Sequence, residues 1–151
     1  MIDIFSGGNY PSGALSNFNR YPFIFIGLKI ESMEGFLQGL KFKSISEQNE
    51  LFSLYGLKAK RIGSKKKIKD QILYIQGRPI HRLSEKYFKI VRLAYFTMAK
   101  SNPDFCKALL ATGNKQIRHS VGKSDKMSTI LTENEFCDIL TEIRDVLRRN
   151  I

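Results

Sequence analysis

Glu34-Gly35-Phe36-Leu37-Gln38-Gly39-Leu40-Lys41-Phe42 is the stretch on which the reading of this chain turns. Ser32, just ahead of it, suits a helix N-cap, because its hydroxyl can accept from one of the first unpaired amides. The helix predicted from that cap runs from Met33 to Lys43. Glu34, Gln38 and Lys41 stand at i, i+4 and i+7, so the helix carries a carboxylate, an amide and an amine on one face. Phe36, Leu37 and Leu40 point elsewhere, towards a core. Gly35 and Gly39 weaken the helix by roughly 2 kcal/mol relative to Ala. In return they admit another backbone or a ligand at close range. Such a polar stripe is either a solvated face, with its Glu and Lys exposed, or one wall of a site.

Upstream, residues 6–22 (SGGNYPSGALSNFNRYP) read as turns and irregular loop around the short element Ala14 to Phe18. Residues 22–30 (PFIFIGLKI) predict two short strands with a turn at Gly27-Leu28. Downstream, residues 46–55 predict a helix loosely capped by Ser46 or Asn49 and ended by Gly56, then a short helix from Leu57 to Ile62 that stops at Gly63. Residues 64–70 form a charged connector. Between Gln71 and Ile80, Gly77 and Pro79 are expected to break regular structure. Ser84 opens a helix over about 85–100 with the stripe Ile90, Leu93, Ala94, Thr97 and Met98. Pro103 starts another, which ends at Thr112-Gly113. Residues 114–131 show no clear period. Thr132 and Glu135 complete a capping box for a last helix, whose stripe is Phe136, Ile139, Leu140, Ile143 and Leu147. The expected fold is mainly α with a small β element near the N-terminus, an α+β chain forming one domain over residues 1–151.

Composition agrees with one domain. The 151 residues are 42% hydrophobic, with 11 Phe, enough for a single core. The net charge of +11 favours polyanionic partners or phosphate-bearing substrates, since such a field concentrates anions; a bare lysine bias would give the same number. Cys106 and Cys137 lie in apolar helical runs and read as buried thiols. With no CxxC pair and only His81 and His119, neither a metal nor a cofactor is expected. No run approaches the roughly 18 apolar residues of a membrane span, and Met1 to Phe5 lack a basic leader. The expectation is no membrane partner and a cytoplasmic location, in the host cytoplasm for a virus-encoded chain.

Four segments carry a resemblance. Ser16-Asn17-Phe18, Glu34 with Gln38, Lys41 and Phe42, Ala59-Lys60-Arg61-Ile62-Gly63, and Leu109-Leu110-Ala111-Thr112-Gly113 occur in an order and spacing similar to the NADAR, or YbiA-like, family. The resemblance runs from about Ser12 to Arg144. It implies a mostly helical fold with a small β element. It also implies hydrolysis of N-glycosidic bonds, in ribose-phosphate intermediates of the riboflavin pathway or in ADP-ribose attached to guanine in nucleic acid. The chain departs from the pattern in having no tryptophan. Ile75 precedes Gln76-Gly77-Arg78-Pro79-Ile80 where a Trp is common, and His119-Ser120-Val121-Gly122 replaces an acidic residue and Trp-Gly. Asp125 is the candidate for the missing carboxylate.

Carried onto matching positions, the resemblance implies Glu34, Lys41 and Lys60 as catalytic candidates, and Ser16, Asn17, Phe18, Gln38 and Arg61 as substrate-binding ones. Breaking an N-glycosidic bond builds positive charge on the ribose, which a carboxylate such as Glu34 stabilises, or it activates the attacking water. A lysine with a lowered pKa could instead attack the ring-opened sugar as a Schiff-base nucleophile; Lys41 and Lys60 are equal candidates, or Lys41 simply pairs with Glu34. Asn17 offers a donor and an acceptor to ribose hydroxyls or a base edge, and Phe18 a face for stacking or for the core. Residues 58–69 hold seven basic side chains and no acid, which suits nucleic-acid phosphates or a solvated loop. His81 and Arg82 suit phosphate contact or capping of the next helix. The competing function class is a non-catalytic basic protein that binds nucleic acid or another anion on a retained fold.

Overall fold

The computed structural model describes residues 1–150. Its centre is α1 (Met33–Gly39), every residue of which is buried. Ser32 caps it, accepting from Gly35 N at 2.9 Å and donating to the Leu54 carbonyl at 2.9 Å. The helix ends four residues before the predicted Lys43. Ser44 caps the next helix and needs extended backbone to do so, so the chain unwinds through Lys41 and Phe42. That next helix is α2 (Ile45–Phe52), capped by Ser44 rather than Ser46 or Asn49. Gly56, with φ +64°, opens α3 (Gly56–Ser64) rather than closing α2.

Glycine decides how α1 packs. A Cβ on Gly35 would stand 2.6 Å from the carbonyl oxygens of Leu51 and Leu54, and one on Gly39 would stand 2.6 Å from the Phe52 ring. The close approach that both glycines permit is therefore to the α2 segment. Gly35→Ala is expected to lower stability by on the order of 2 kcal/mol, because overpacking against backbone outweighs the gain of about 1 kcal/mol in helix propensity. A denaturant titration reads this directly, and an unchanged midpoint would contradict the packing argument.

The strands form three two-stranded pairs, so the β content is not confined to the N-terminus. β2 (Phe23–Phe25) and β3 (Leu28–Ile30) make an antiparallel hairpin, turning at Ile26-Gly27, one residue earlier than predicted. β4 (Ile72–Ile75) and β5 (Arg78–His81) make a second hairpin where a break was expected. Gln76 and Gly77, both at positive φ, supply its tight turn. Pro79 is tolerated because its partner Tyr74 bonds away from β5: its N–H donates to Leu40 O and its carbonyl accepts from Gln48. β1 (Ile2–Asp3) pairs in parallel with β6 (Ile117–Arg118), a contact the sequence reading did not foresee.

α4 (Glu85–Ser101), α5 (Pro103–Ala111) and α6 (Glu133–Arg149) complete the chain. The stripe of α4 is rotated from the predicted one. Tyr87, Val91, Ala94, Tyr95, Met98 and Ala99 are buried, while Leu93 is 53% exposed. The tyrosines accept burial because their hydroxyls are matched: Tyr87 donates to Ile130 O at 2.6 Å and Tyr95 to Asn17 Oδ1 at 2.8 Å. α6 carries the capping box of Thr132 and Glu135, and buries Phe136, Ile139, Leu140 and Ile143 as expected, with Leu147 partly covered. One hydrophobic cluster joins every helix but α3 with the three hairpin and parallel pairs. Cys137 is buried in it and Cys106 packs partly buried against it. Among the described residues no helix is long and apolar enough to cross a membrane.

Candidate functional site

A cavity of about 280 Å³ opens between α1, α3 and the 119–131 loop. One wall carries Glu34, Gln38 and Lys41, with Lys60 and Ser64 of α3 beside them and Asn17 at the end. Lys41 lies beyond the end of α1 and still reaches this wall, donating from Nζ to Gly63 O at 3.1 Å. The opposite wall comprises His119, Lys123 and residues 128–131, with Phe136 of α6 behind them.

Glu34 is 9% exposed. Its backbone N–H donates to Asn17 O at 3.1 Å, and its carboxylate accepts from Gln38 Nε2 at 3.0 Å. Burial pushes its pKa above the ordinary carboxylate value; the Gln38 hydrogen bond, then Lys60, Lys41 and His119, pull against that rise. Burial also lowers the pKa of Lys41, with Glu34 opposing and Lys67 and Lys123 adding to the fall. The carboxylate and amine thus sit in a pocket that disfavours the charged form of each, while their mutual attraction works the other way.

The Gln38 amide is placed by a third glycine. A Cβ on Gly63 would fall 2.3 Å from Gln38 Oε1, so Gly63 lies inside α3 as a contact surface, not past its end as a stop. Gln38 Oε1 is buried without a hydrogen-bond partner. Asn17 is held by Tyr95 through Oδ1, which leaves its Nδ2 as the donor available to a ligand.

The structure brings together Asn17, Glu34, Gln38, Lys41 and Lys60 of the candidates. Ser16, Phe18 and Arg61 do not line the cavity. Ser16 is buried and its Oγ accepts from Phe18 N; Phe18 lies under Lys60, with Nζ 5.6 Å from the ring centroid; Arg61 is exposed on the last turn of α3. Asp125 does not line it either: its carboxylate is exposed and accepts from Met127 N within its own loop. Arg82 does not face phosphate. It is 1% exposed, with Nη2 2.5 Å from Glu135 Oε1 and Nε donating to Thr129 O. His81 accepts from Leu83 N through Nδ1, turning the chain into α4.

His119 and Lys123 are cavity residues that the sequence did not mark as site members. His119 Nδ1 lies 2.6 Å from Ile4 O, so Nδ1 carries the proton and a neutral ring offers Nε2 as acceptor. The ring edge rests on Phe136, with centroids 5.1 Å apart, and Gly122 leaves it room, since a Cβ there would meet Cδ2 at 2.7 Å. For His119 the one signal in the sequence was its place in the His119-Ser120-Val121-Gly122 segment, where the chain departs from the pattern it resembles. Among the described residues no group of three His, Cys, Asp or Glu converges as metal ligands would.

Comparison with known proteins adds three findings. The E. coli protein YbiA, solved by NMR, superposes with a TM-score of 0.64 over 99% of this chain and 88% of its own, at 18% identity. That likeness establishes a YbiA-like fold. The uncharacterized 17.1 kDa protein in the Gp30-rIII intergenic region of Enterobacteria phage T4 is 40% identical over 149 residues, covering 97% of this chain and 98% of the phage protein. The family model described as bacteriophage protein GP30.3 matches residues 9–145, so nearly the whole fold, cavity included, lies within it, and the chain belongs to the bacteriophage GP30.3 protein family.

Proposed function

We propose that this protein is an N-glycosidase of the NADAR type, hydrolysing the N-glycosidic bond of a ribose-phosphate or ADP-ribose adduct. The observation that carries the reading is the buried Glu34 carboxylate, which shares one small cavity with Asn17, Gln38, Lys41 and Lys60. The YbiA-like fold and the four motif segments support it.

In such a reaction the C1′–N bond breaks and its electron pair leaves with the base nitrogen. The ribose becomes oxocarbenium-like, and water adds to C1′ and gives up a proton. Ionised Glu34 faces the developing charge or receives the proton of that water, and Gln38 fixes its orientation. Asn17 Nδ2 is free to hold a ribose oxygen. Lys60 and Lys123 neutralise phosphate, while Lys41 supplies an amine whose burial favours the neutral form. His119, protonated on Nδ1, has Nε2 for proton exchange with the leaving base or with water.

Incubation with a ribosylamine phosphate and with ADP-ribosyl-guanine, followed by chromatography, tests the reading. Release of free base from either substrate is the expected result. Of the two motif lysines, Lys41 is the one whose amine burial shifts towards the neutral, nucleophilic form. The released sugar opens to a C1′ aldehyde, with which a neutral Lys41 amine condenses to an imine with loss of water, so borohydride during turnover is expected to trap a sugar adduct on Lys41, lost in Lys41→Met and kept in Lys60→Met. Mass spectrometry reads the adduct; its absence from the wild type assigns both lysines to phosphate binding alone. The lack of tryptophan favours a second reading, a non-catalytic anion-binding protein, and that reading stands if the wild type releases no base from either compound.

A further inference from the structure

The Asn17 side chain ends in an oxygen and an NH2 of nearly the same shape, so what it offers the cavity depends on which of them faces outward. Its backbone is already fixed. The Asn17 carbonyl accepts from Glu34 N, and Ser16 Oγ accepts from Phe18 N. Asn19 Nδ2 donates to Gly13 O at 2.7 Å and to Ser16 O at 3.1 Å, which ties the loop on either side. The freedom left to Asn17 is rotation of its amide, a torsion with two broad and nearly equal positions.

Tyr95 of α4 removes that freedom. Its side chain is fully enclosed, and its hydroxyl stands 2.8 Å from Asn17 Oδ1. A phenol carries one proton, and among the described residues Asn17 Oδ1 is the acceptor that this proton meets. With the amide reversed, Nδ2 would donate to the phenol oxygen and the phenol proton would be buried without an acceptor, which is the costlier arrangement. The hydroxyl therefore takes the oxygen end for itself and leaves the NH2 end to the cavity. Burial holds the phenol protonated well beyond its ordinary range, against the pull of the Asn17 bond, so the selection persists in alkali. The ring of Tyr95 has a separate task. It packs on Phe136, with centroids 5.9 Å apart, and Phe136 backs the cavity.

We infer that Tyr95 is a positioning residue for this cavity: its buried hydroxyl turns the Asn17 amide so that a ligand meets an N–H donor and must place an accepting oxygen there. Tyr95 does not line the cavity and acts through Asn17. The inference rests on the proposed function only in taking a ribose as the ligand.

Tyr95→Phe keeps the ring and removes the hydroxyl. Titration of the backbone amide NMR spectrum with ribose 5-phosphate tests the inference without turnover. The Kd of Tyr95→Phe is expected to rise about 2- to 5-fold: about 2-fold from equal population of the two amide positions, the rest from the torsional freedom regained. Asn17→Ala loses the hydrogen bond itself, and its Kd is expected to rise on the order of 10-fold. The double variant should bind no more weakly than Asn17→Ala, because without the amide there is nothing to turn. Inorganic phosphate, which needs only Lys60 and Lys123, should bind the wild type and Tyr95→Phe alike. The dispersion of the same spectra verifies that each variant is folded. Losses that multiply in the double variant, or an equal loss for inorganic phosphate, would make Tyr95 a residue of the core alone and overturn the inference. An unchanged Kd of Tyr95→Phe for ribose 5-phosphate, or a wild type that does not bind it, overturns it as well. The two readings fail separately. A wild type that shows the coupling but releases no base keeps Tyr95 in its role and removes the glycosidase, and one that releases base without the coupling does the reverse.

Discussion

Glu34→Gln is expected to lower glycosidic cleavage by about 100-fold or more while making the protein more stable at neutral pH. The two effects have one cause. Burial raises the carboxyl pKa of Glu34 in the folded chain, so the native state holds that proton more tightly than the unfolded state does. The contribution of Glu34 to stability is therefore full below its unfolded pKa of about 4.3 and is lost as pH rises through the folded value. Glutamine is always neutral, has nearly the same shape and keeps a hydrogen bond to Gln38. The difference in melting temperature, variant minus wild type, is expected to be near zero in acid and positive at neutral pH. Other titrating groups are common to both proteins and cancel in the difference. A variant less stable than the wild type at neutral pH would show that the lysines around Glu34 stabilise its charge more than burial opposes it. A variant that cleaves at the wild-type rate would remove Glu34 from the chemistry.

Arg82→Ala is expected to cost about 3–5 kcal/mol of folding stability, the largest loss foreseen for a single side chain here. Its guanidinium is enclosed, meeting both carboxylate oxygens of Glu135, the Thr129 carbonyl and the Tyr87 ring. Burial pushes the Glu135 carboxyl up, but the hydrogen bond from Arg82 and the bond from Thr132 N outweigh it and hold the pKa below the ordinary value. In the wild type, Glu135 therefore adds stability that is present above the unfolded pKa and lost as pH falls through the folded one. Without Arg82 the largest lowering influence is gone and burial is opposed only by Thr132, so the variant should lose less on acidification than the wild type. Urea midpoints at neutral and acid pH measure both. The double change Arg82→Met/Glu135→Gln should recover much of the loss, since it leaves no unpaired buried charge. Because Arg82 holds Thr129, at the edge of the cavity, Arg82→Ala should also raise KM more than it lowers kcat. A loss below about 1 kcal/mol would mean that solvent enters and replaces the guanidinium.

The parts of the fold that were legible in the sequence are those set by neighbours along the chain. Thr132 and Glu135 bond reciprocally within four residues, and the apolar period behind them is uninterrupted, so α6 could be read to its start. The stripe of α4 was misjudged because two of its most buried residues are tyrosines, whose burial depends on acceptors 43 and 78 residues away. The β1–β6 pair is two residues long on each side and leaves no period to detect. In the candidate site, Glu34, Gln38, Lys41 and Lys60 were legible through spacing and motif. Lys41 reaches the cavity although the helix that was to carry it ends at Gly39, because Gly63 O anchors its amine. His119 was visible only as a departure from a pattern, since nothing local states that Ile4 will orient its ring.

The pairing of Ile2 with Ile117 also sets a clock on synthesis. Asp3 accepts from both the amide and the hydroxyl of Ser120, and the Ile4 carbonyl meets the His119 ring, so residues 3 and 4 must wait for residues 119 and 120 before either is secured. At about 5–20 residues per second, that wait lasts roughly 6–23 s on the ribosome. By its end Glu34, Lys41 and Lys60 have been made, but they stand without the second wall of their cavity until the 119–131 loop follows. The cavity is thus complete only after the 119–131 loop has been made, and a chain cut after Ala111 would hold Glu34, Lys41 and Lys60 without the opposite wall.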